Sequence, residues 1–245
     1  MRATTILLIL CCLLLAGTPS RPQAAPAGRG VPQTCDAASE CAPPQQAPSQ
    51  QNAPVLFPPY VFGMPRAQAM KLPGAALGEG DFAGDILLPE ASFAGLPWTV
   101  RLEFRHDTLV RVSLMEAYSD ARLTAVNASL RDTGYEMLAM LADGVRVDFV
   151  ASLKTDGPEA LQKRIKKLHT DKKRERMSYA WFDTRKMSRE TKIMARNLSN
   201  LLQVVEADTG EAEVSLLGDG KGGVSHILVD FTLPVLELQT SSPER

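Results

Sequence analysis

Histidine, tryptophan and cysteine are scarce here: 3, 2 and 4 residues in a chain of 245. The three histidines, His106, His169 and His226, lie far apart and none stands at a metal-ligand spacing. No metal site and no cofactor are therefore expected. There is no Gly-x-Ser-x-Gly elbow to seat a nucleophilic serine. The glycine-rich stretch Gly218-Asp219-Gly220-Lys221-Gly222-Gly223 lacks phosphate-loop spacing, has no Ser or Thr after Lys221, and runs into a strand pattern rather than a helix. It reads as a flexible hairpin loop. Carboxylates are plentiful but scattered, so no general acid and base pair can be picked out. Without catalytic residues to name, the enzyme question stays open and the balance falls on the side of no catalysis.

Charge is nearly absent from the first twenty residues. Arg2 is followed by an uncharged, apolar run from Ala3 to Ala16, then by small residues and prolines. That order is the pattern of a secretory signal peptide over residues 1–20, with cleavage between 20 and 27. The run is too short to span a bilayer, and charges interrupt every later apolar run. The expected location is outside the cytoplasm, periplasmic or envelope-associated. Cys11 and Cys12 leave a lipid-modified cysteine as the alternative, although Leu10 and Cys11 fill the places where a small residue is wanted. Residues 21–54 are rich in Pro, Gln, Ala and Ser and read as a disordered linker. Cys35 and Cys41 are the cysteines left after cleavage, and an oxidising compartment favours a disulfide between them.

From Val55 to about residue 240 apolar residues recur with regular periods, ahead of a short tail at 241–245. Pro65 to Leu72 predicts a short helix stopped by Pro73-Gly74. Trp98, Val100, Leu102 and Phe104 alternate in one strand, Leu109 to Leu114 form another, and Arg105-His106-Asp107 turns between them. Ser119 or Asp120 caps a helix carrying Leu123, Val126 and Leu130, which Gly134 ends. Tyr135 to Leu141 and Val145 to Leu153 flank Asp143-Gly144, a strong hairpin signal. Pro158 opens a helix with Leu161, Ile165 and Leu168 inward. Tyr179 to Phe182 reads as a strand, and Met187 to Leu202 as a helix with Met194, Leu198 and Leu201 along one side. Ala212 to Leu217 and Val224 to Phe231 complete the strands. The expected class is α+β: an antiparallel sheet of hairpins with helices packed on one face. The second half loosely repeats the first, a pattern compatible with a duplicated helix-hairpin unit.

The run Phe62-Gly63-Met64-Pro65-Arg66-Ala67-Gln68-Ala69, with the hairpin of Trp98 to Phe104 and Leu109 to Leu114, resembles the helix-hairpin unit of small outer-membrane-assembly lipoproteins. Those share a fold with a protein inhibitor of beta-lactamases. The resemblance covers residues 62–114 and departs from the pattern at Pro65 and in the insertion from Gly74 to Gly95. It implies an envelope protein that works by binding another protein, and it transfers no residue beyond the structural pair Gly63 and Met64.

Charge is segregated along the chain. Residues 163–196 hold 13 Lys and Arg against 4 Asp and Glu, while the whole chain holds 27 and 28, leaving 14 against 24 elsewhere. Lys163, Arg164, Lys166, Lys167, Lys172, Lys173, Arg174 and Arg176 form the centre of this basic segment. Either it is a contact surface for an anionic partner, or it is the solvated side of a helix neutralised by acids elsewhere in the fold. Nucleic acid is not expected, because only Tyr179, Trp181 and Phe182 lie nearby for base stacking. Peripheral membrane contact is compatible with the charge, although the apolar stripe of the helix is narrow and needed for the core. Asn127-Ala128-Ser129 and Asn197-Leu198-Ser199 match the glycosylation acceptor pattern, but both fall on predicted helices. The sequence thus points to an exported, non-enzymatic binding or assembly factor. The competing readings are a soluble enzyme such as a hydrolase, and a structural envelope component. The oligomeric state is not legible.

Overall fold

Alternation of apolar and polar residues builds most of this chain into one antiparallel sheet, because successive side chains of a strand point to opposite faces. The computed structural model describes residues 53–171 and 177–241. In chain order the elements are β1 (Val55–Phe57), β2 (Tyr60–Val61), α1 (Arg66–Ala69), β3 (Ala76–Leu77), β4 (Ile86–Phe93), β5 (Leu96–Arg105), β6 (Thr108–Ala117), α2 (Asp120–Asp132), β7 (Tyr135–Ala142) and β8 (Val145–Asp148). Then follow α3 (Phe149–Thr155), α4 (Gly157–Asp171), β9 (Met177–Asp183), α5 (Arg189–Met194), α6 (Leu198–Val204), β10 (Glu211–Gly218), β11 (Val224–Thr232) and α7 (Pro234–Ser241). Nine strands form one sheet in the order β3-β4-β5-β6-β11-β10-β9-β7-β8, and β1 and β2 pair separately.

The register sorts the side chains into two sets. Val100 lies opposite Leu114, Leu114 opposite Val229, Val229 opposite Val214 and Val214 opposite Tyr179. All of these belong to the main buried cluster, which α2 joins through Val126 and Leu130, and α4 through Leu161 and Leu168. An aromatic group closes one end: Phe57 of β1 lies 4.9 Å from Phe231 and 5.6 Å from Phe93 between ring centroids. On the opposite face, Phe182 and Ala180 alternate with Trp181 and Tyr179 along β9 and pack with Leu198 and Leu201 of α6 in a second cluster. The expectation of helices on one face is thereby corrected. Phe182 falls on the second face and needs its own cover.

Local signals place most elements. Ser119 accepts a hydrogen bond from the Arg122 N–H and starts α2. His106 and Asp107 in the β5–β6 turn have φ of 49° and 61°, and Asp143 and Gly144 in the β7–β8 turn 49° and 78°, the left-handed pairs that tight hairpins require. Two expectations fail for one reason. The strand expected from Val145 to Leu153 ends at Asp148, and the helix expected from Met187 to Leu202 is broken between α5 and α6. Asp148 Oδ1 accepts from the Ala151 N–H at 3.0 Å to start α3, and its Oδ2 accepts from the Leu198 N–H at 2.7 Å to start α6. Lys154 meanwhile donates to the carbonyls of Ile193 and Ala195, which terminate the preceding turn. Met194, expected inward, is 74% exposed. The insertion from Gly74 to Gly95 contains β3 and β4, so the expected hairpin is the end of a meander.

The expectation of a disulfide bond is corrected as well: none is found among the described residues. The described residues contain no cysteine and no disulfide, so the sheet and its helices close without a cross-link. Cys35 and Cys41 lie outside the described residues.

Close packing at Gly210 gives a direct test. A Cβ there would sit 2.7 Å from Tyr135 Oη and 3.6 Å from its Cζ. Burial, with Asp183 nearby, pushes the Tyr135 hydroxyl up to about 12. Gly210→Ala should lower the unfolding free energy by about 1–3 kcal/mol, the usual cost of overpacking. In a Tyr135→Phe background the oxygen is gone and the cost should shrink, read by denaturant unfolding as a double-mutant cycle. Equal costs in both backgrounds would contradict the contact.

Candidate binding surface

Helix α4 is amphipathic because its apolar residues recur at helical spacing. Leu161 and Leu168 are 2% and 7% exposed, and Ile165 packs between them against the main cluster. Gly157, at φ +79°, turns the chain out of α3, and Pro158 follows in the first turn, where a missing N–H is tolerated. Near the other end, the His169 ring stacks on Tyr179 of β9 at 6.0 Å and 19°. This seating turns Lys163, Arg164, Lys166 and Lys167 outward, and all four are exposed. At about 100° per residue, Lys163, Lys166 and Lys167 share one flank and Arg164 stands beside it. Lys172, Lys173, Arg174 and Arg176 lie outside the described residues. Among the described residues, no ion pair joins Lys163, Arg164 or Lys166 to a carboxylate.

Three other cations of the basic segment are engaged with acids elsewhere. Arg185 is held by both oxygens of Asp183, at 2.9 and 2.8 Å, and its side chain lies over Gly134, where a Cβ would be 2.4 Å from Arg185 Cδ. Burial works against the Asp183 charge, but the hydrogen bonds and charge of Arg185 outweigh it and hold the carboxyl below the usual range. Lys186 pairs with Asp208 at 2.5 Å and Lys192 with Glu136 at 3.0 Å. These contacts tie the β9–α5 connection to neighbouring elements. Tyr179, Trp181 and Phe182 are buried in β9, Tyr179 and Trp181 on one face and Phe182 on the other.

A second polar group was missed by the sequence reading: a stripe of acids and arginines along the second face of the sheet. Arg101 contacts Asp85 at 2.7 Å and Glu103 at 3.2 Å. Arg111 contacts Glu103 at 3.5 Å and Glu237 of α7 at 3.7 Å. The Ser113 hydroxyl donates to Asp230 at 2.5 Å, and Asp230 stands directly opposite Glu213 on β10. Burial, reinforced by Glu213, pushes the Glu211 carboxyl up to about 7 against the opposing pull of Arg146 and Arg111. Burial also raises Asp230 and Glu237. The available signal was the polar phase of β5, β6, β10 and β11: Arg101 and Glu103, Arg111 and Ser113, Glu211 and Glu213, with Asp230.

Among the described residues, no group of three or more His, Cys, Asp or Glu is placed to share a metal ion, and no helix is long and apolar enough to cross a membrane. The loop at residues 218–223 is a hairpin connection in which Asp219 accepts from the N–H groups of Lys221 and Gly223 at 2.7 and 2.9 Å. That leaves its carboxylate turned into the loop, where a bound phosphate would be repelled. A shallow depression at the β4–β5 turn is lined by Glu90, Ala91, Ser92, Gly95, Leu96 and Pro97, with Glu90 its one ionisable residue.

The α4 cations can be separated from structural ones by stability. Lys163→Gln, Arg164→Gln and Lys166→Gln should each change the unfolding free energy by less than about 0.5 kcal/mol, as exposed side chains do. Asp183→Ala, which strips Arg185 of both bonds, should cost about 1–3 kcal/mol. Losses of that larger size at the α4 positions would mark them as structural. Comparison with protein-family models, with curated proteins and with solved structures finds no match, so no residue role passes to this chain from a relative.

Proposed function

We propose that this chain is an exported, non-enzymatic binding or assembly factor of a cell envelope, and that the outward face of α4 contacts an anionic partner. The observation that carries the reading is the exposure of Lys163, Arg164, Lys166 and Lys167 together, on a helix whose opposite face is fully committed to the core. Clustered cations of one sign raise the local concentration of an anionic partner and speed its encounter, whereas cations already held by carboxylates do so weakly. The apolar stripe of α4 is covered by the sheet, so the contact is electrostatic rather than insertion into a lipid core. The partner is an envelope protein or another anionic envelope component.

Two further readings accompany this one. The chain is a duplicated helix-hairpin unit, α1 with β5–β6 and α6 with β10–β11. What supports it is the sheet order, in which the last strands of the two hairpins, β6 and β11, lie side by side and antiparallel. The kinship with small outer-membrane-assembly lipoproteins is retained on residues 62–114. Support comes from the short helix α1 ahead of the β5–β6 hairpin, with Gly63 N–H bonded to the Leu109 carbonyl at 2.8 Å.

Purified protein should sediment with isolated cell envelopes, and added salt should weaken the association. Charge reversal by Lys163→Glu, Lys166→Glu and Lys167→Glu together should reduce it about tenfold or more. If the reversed protein folds and binds as before, the basic-surface reading is wrong. Export is checked by intact mass: the recovered chain should begin between Arg21 and Gly28, and a chain that still begins at Met1 would contradict it.

A further inference from the structure

We propose that the C-terminal helix α7 is a pH-dependent strap, docked on the polar face of the sheet in acid and released from it in base. The inference is independent of the α4 surface. Its basis is what α7 covers. The only charged residue of the helix, Glu237, reaches Arg111 of β6, and α6, packed beside α7, carries no titratable side chain. Beneath lie Glu211 and Glu213 of β10, Asp230 of β11, and Arg101, Glu103 and Arg105 of β5, with Arg146 of β8 at the flank.

The charges do not balance locally. Glu213 and Asp230 are direct cross-strand partners, a placement that destabilises a sheet when both are ionised. Glu211 is on the same strand and face as Glu213, two residues away. Arg101 is already shared between Asp85 and Glu103, and Arg111 between Glu103 and Glu237. Asp230 receives its hydrogen bond from a neutral serine. Once every acid is ionised, Glu211, Glu213, Asp230 and Glu237 repel one another, against the opposing pull of Arg146 on Glu211 and of Arg111 and Arg105 on Glu237.

Two responses would relieve this: opening the sheet, or lifting the helix. The β10–β11–β6 ladders are backed by Val214, Val229 and Leu114, all fully buried. Helix α7 is anchored by Leu233 at its base, by Leu236, half-buried against the main cluster, and by Glu237, while Leu238 is 68% exposed. Lifting α7 is therefore the smaller disruption, and it admits water to Glu211, Asp230 and Glu237. The direction follows from proton linkage. These acids titrate above their ordinary range when covered, so the docked state binds more protons than the released one. Docking therefore weakens as pH rises through neutrality.

Hydrogen exchange of the full-length protein, corrected for intrinsic rates, reads this directly. Between about pH 5 and about pH 8.5, protection of the amides of Glu237 and Leu238 should fall roughly tenfold or more, while amides of β6 and β11 keep theirs. Glu211→Gln should remove most of that response. Glu213→Gln, which takes away the acid opposite Asp230, should reduce it too and serves as the second variant. The proposal is overturned by α7 protection that does not change with pH, by a loss spread equally over β6 and β11, or by an undiminished response in both variants.

Discussion

The pairing of β6 with β11 is the joint on which this structure depends. It brings together two strands more than a hundred residues apart in sequence and sets their phase by residue pairs such as Val229 with Leu114 and Asp230 with Ser113. A shift of β6 by one residue would turn Val112 and Leu114 to the polar face and Arg111 into the apolar core, opposite Val229 and Phe231. Burying an arginine there without its carboxylates would cost several kcal/mol. The register is thus held from both sides of the sheet, by apolar packing on one and by paired charge on the other.

Both candidate surfaces follow from that joint. Because the apolar side of the sheet is continuous, α2 and α4 can lie on it with narrow apolar stripes, which leaves the outer face of α4 to Lys163, Arg164, Lys166 and Lys167, with the acid Glu159 in its first turn. Because the other side is half apolar and half charged, its cover is divided. Helix α6 packs on Phe182 and Ala180, and α7 lies over acids and arginines. The charge segregation along the chain is therefore resolved in three dimensions. Some of the cations counted in sequence are joined to Asp183, Asp208 and Glu136, and the exposed cations of α4 remain as a surface.

Legibility followed the range of the interactions. The Ser119 cap, the Asp143-Gly144 turn, the β5–β6 hairpin and the inward residues of α4 are local, and each could be read from neighbours in sequence. The break between α5 and α6 was legible only in part: Asn197 is a local cap that accepts from the Asn200 N–H, but the carboxylate of Asp148, which also holds the start of α6, lies 50 residues away. The same carboxylate ended the strand expected to continue to Leu153. Strands β3 and β4 escaped notice because Pro89 and Glu90 interrupt the alternation, at the bulge between Leu88 and Ala91. The acid–arginine stripe escaped because its members come from separate strands and meet only through register.

By itself the sequence determined the α+β class, most strands and hairpin turns, and which side of α4 faces outward. Each of these rests on residue spacing and turn chemistry within a few positions. Tertiary structure alone decided the strand order, the cover on both faces, the division of cations between ion pairs and open surface, and the crowding of Glu211, Glu213, Asp230 and Glu237. Those outcomes depend on which distant segments lie side by side, and on desolvation and like-charge contact that arise only once they do.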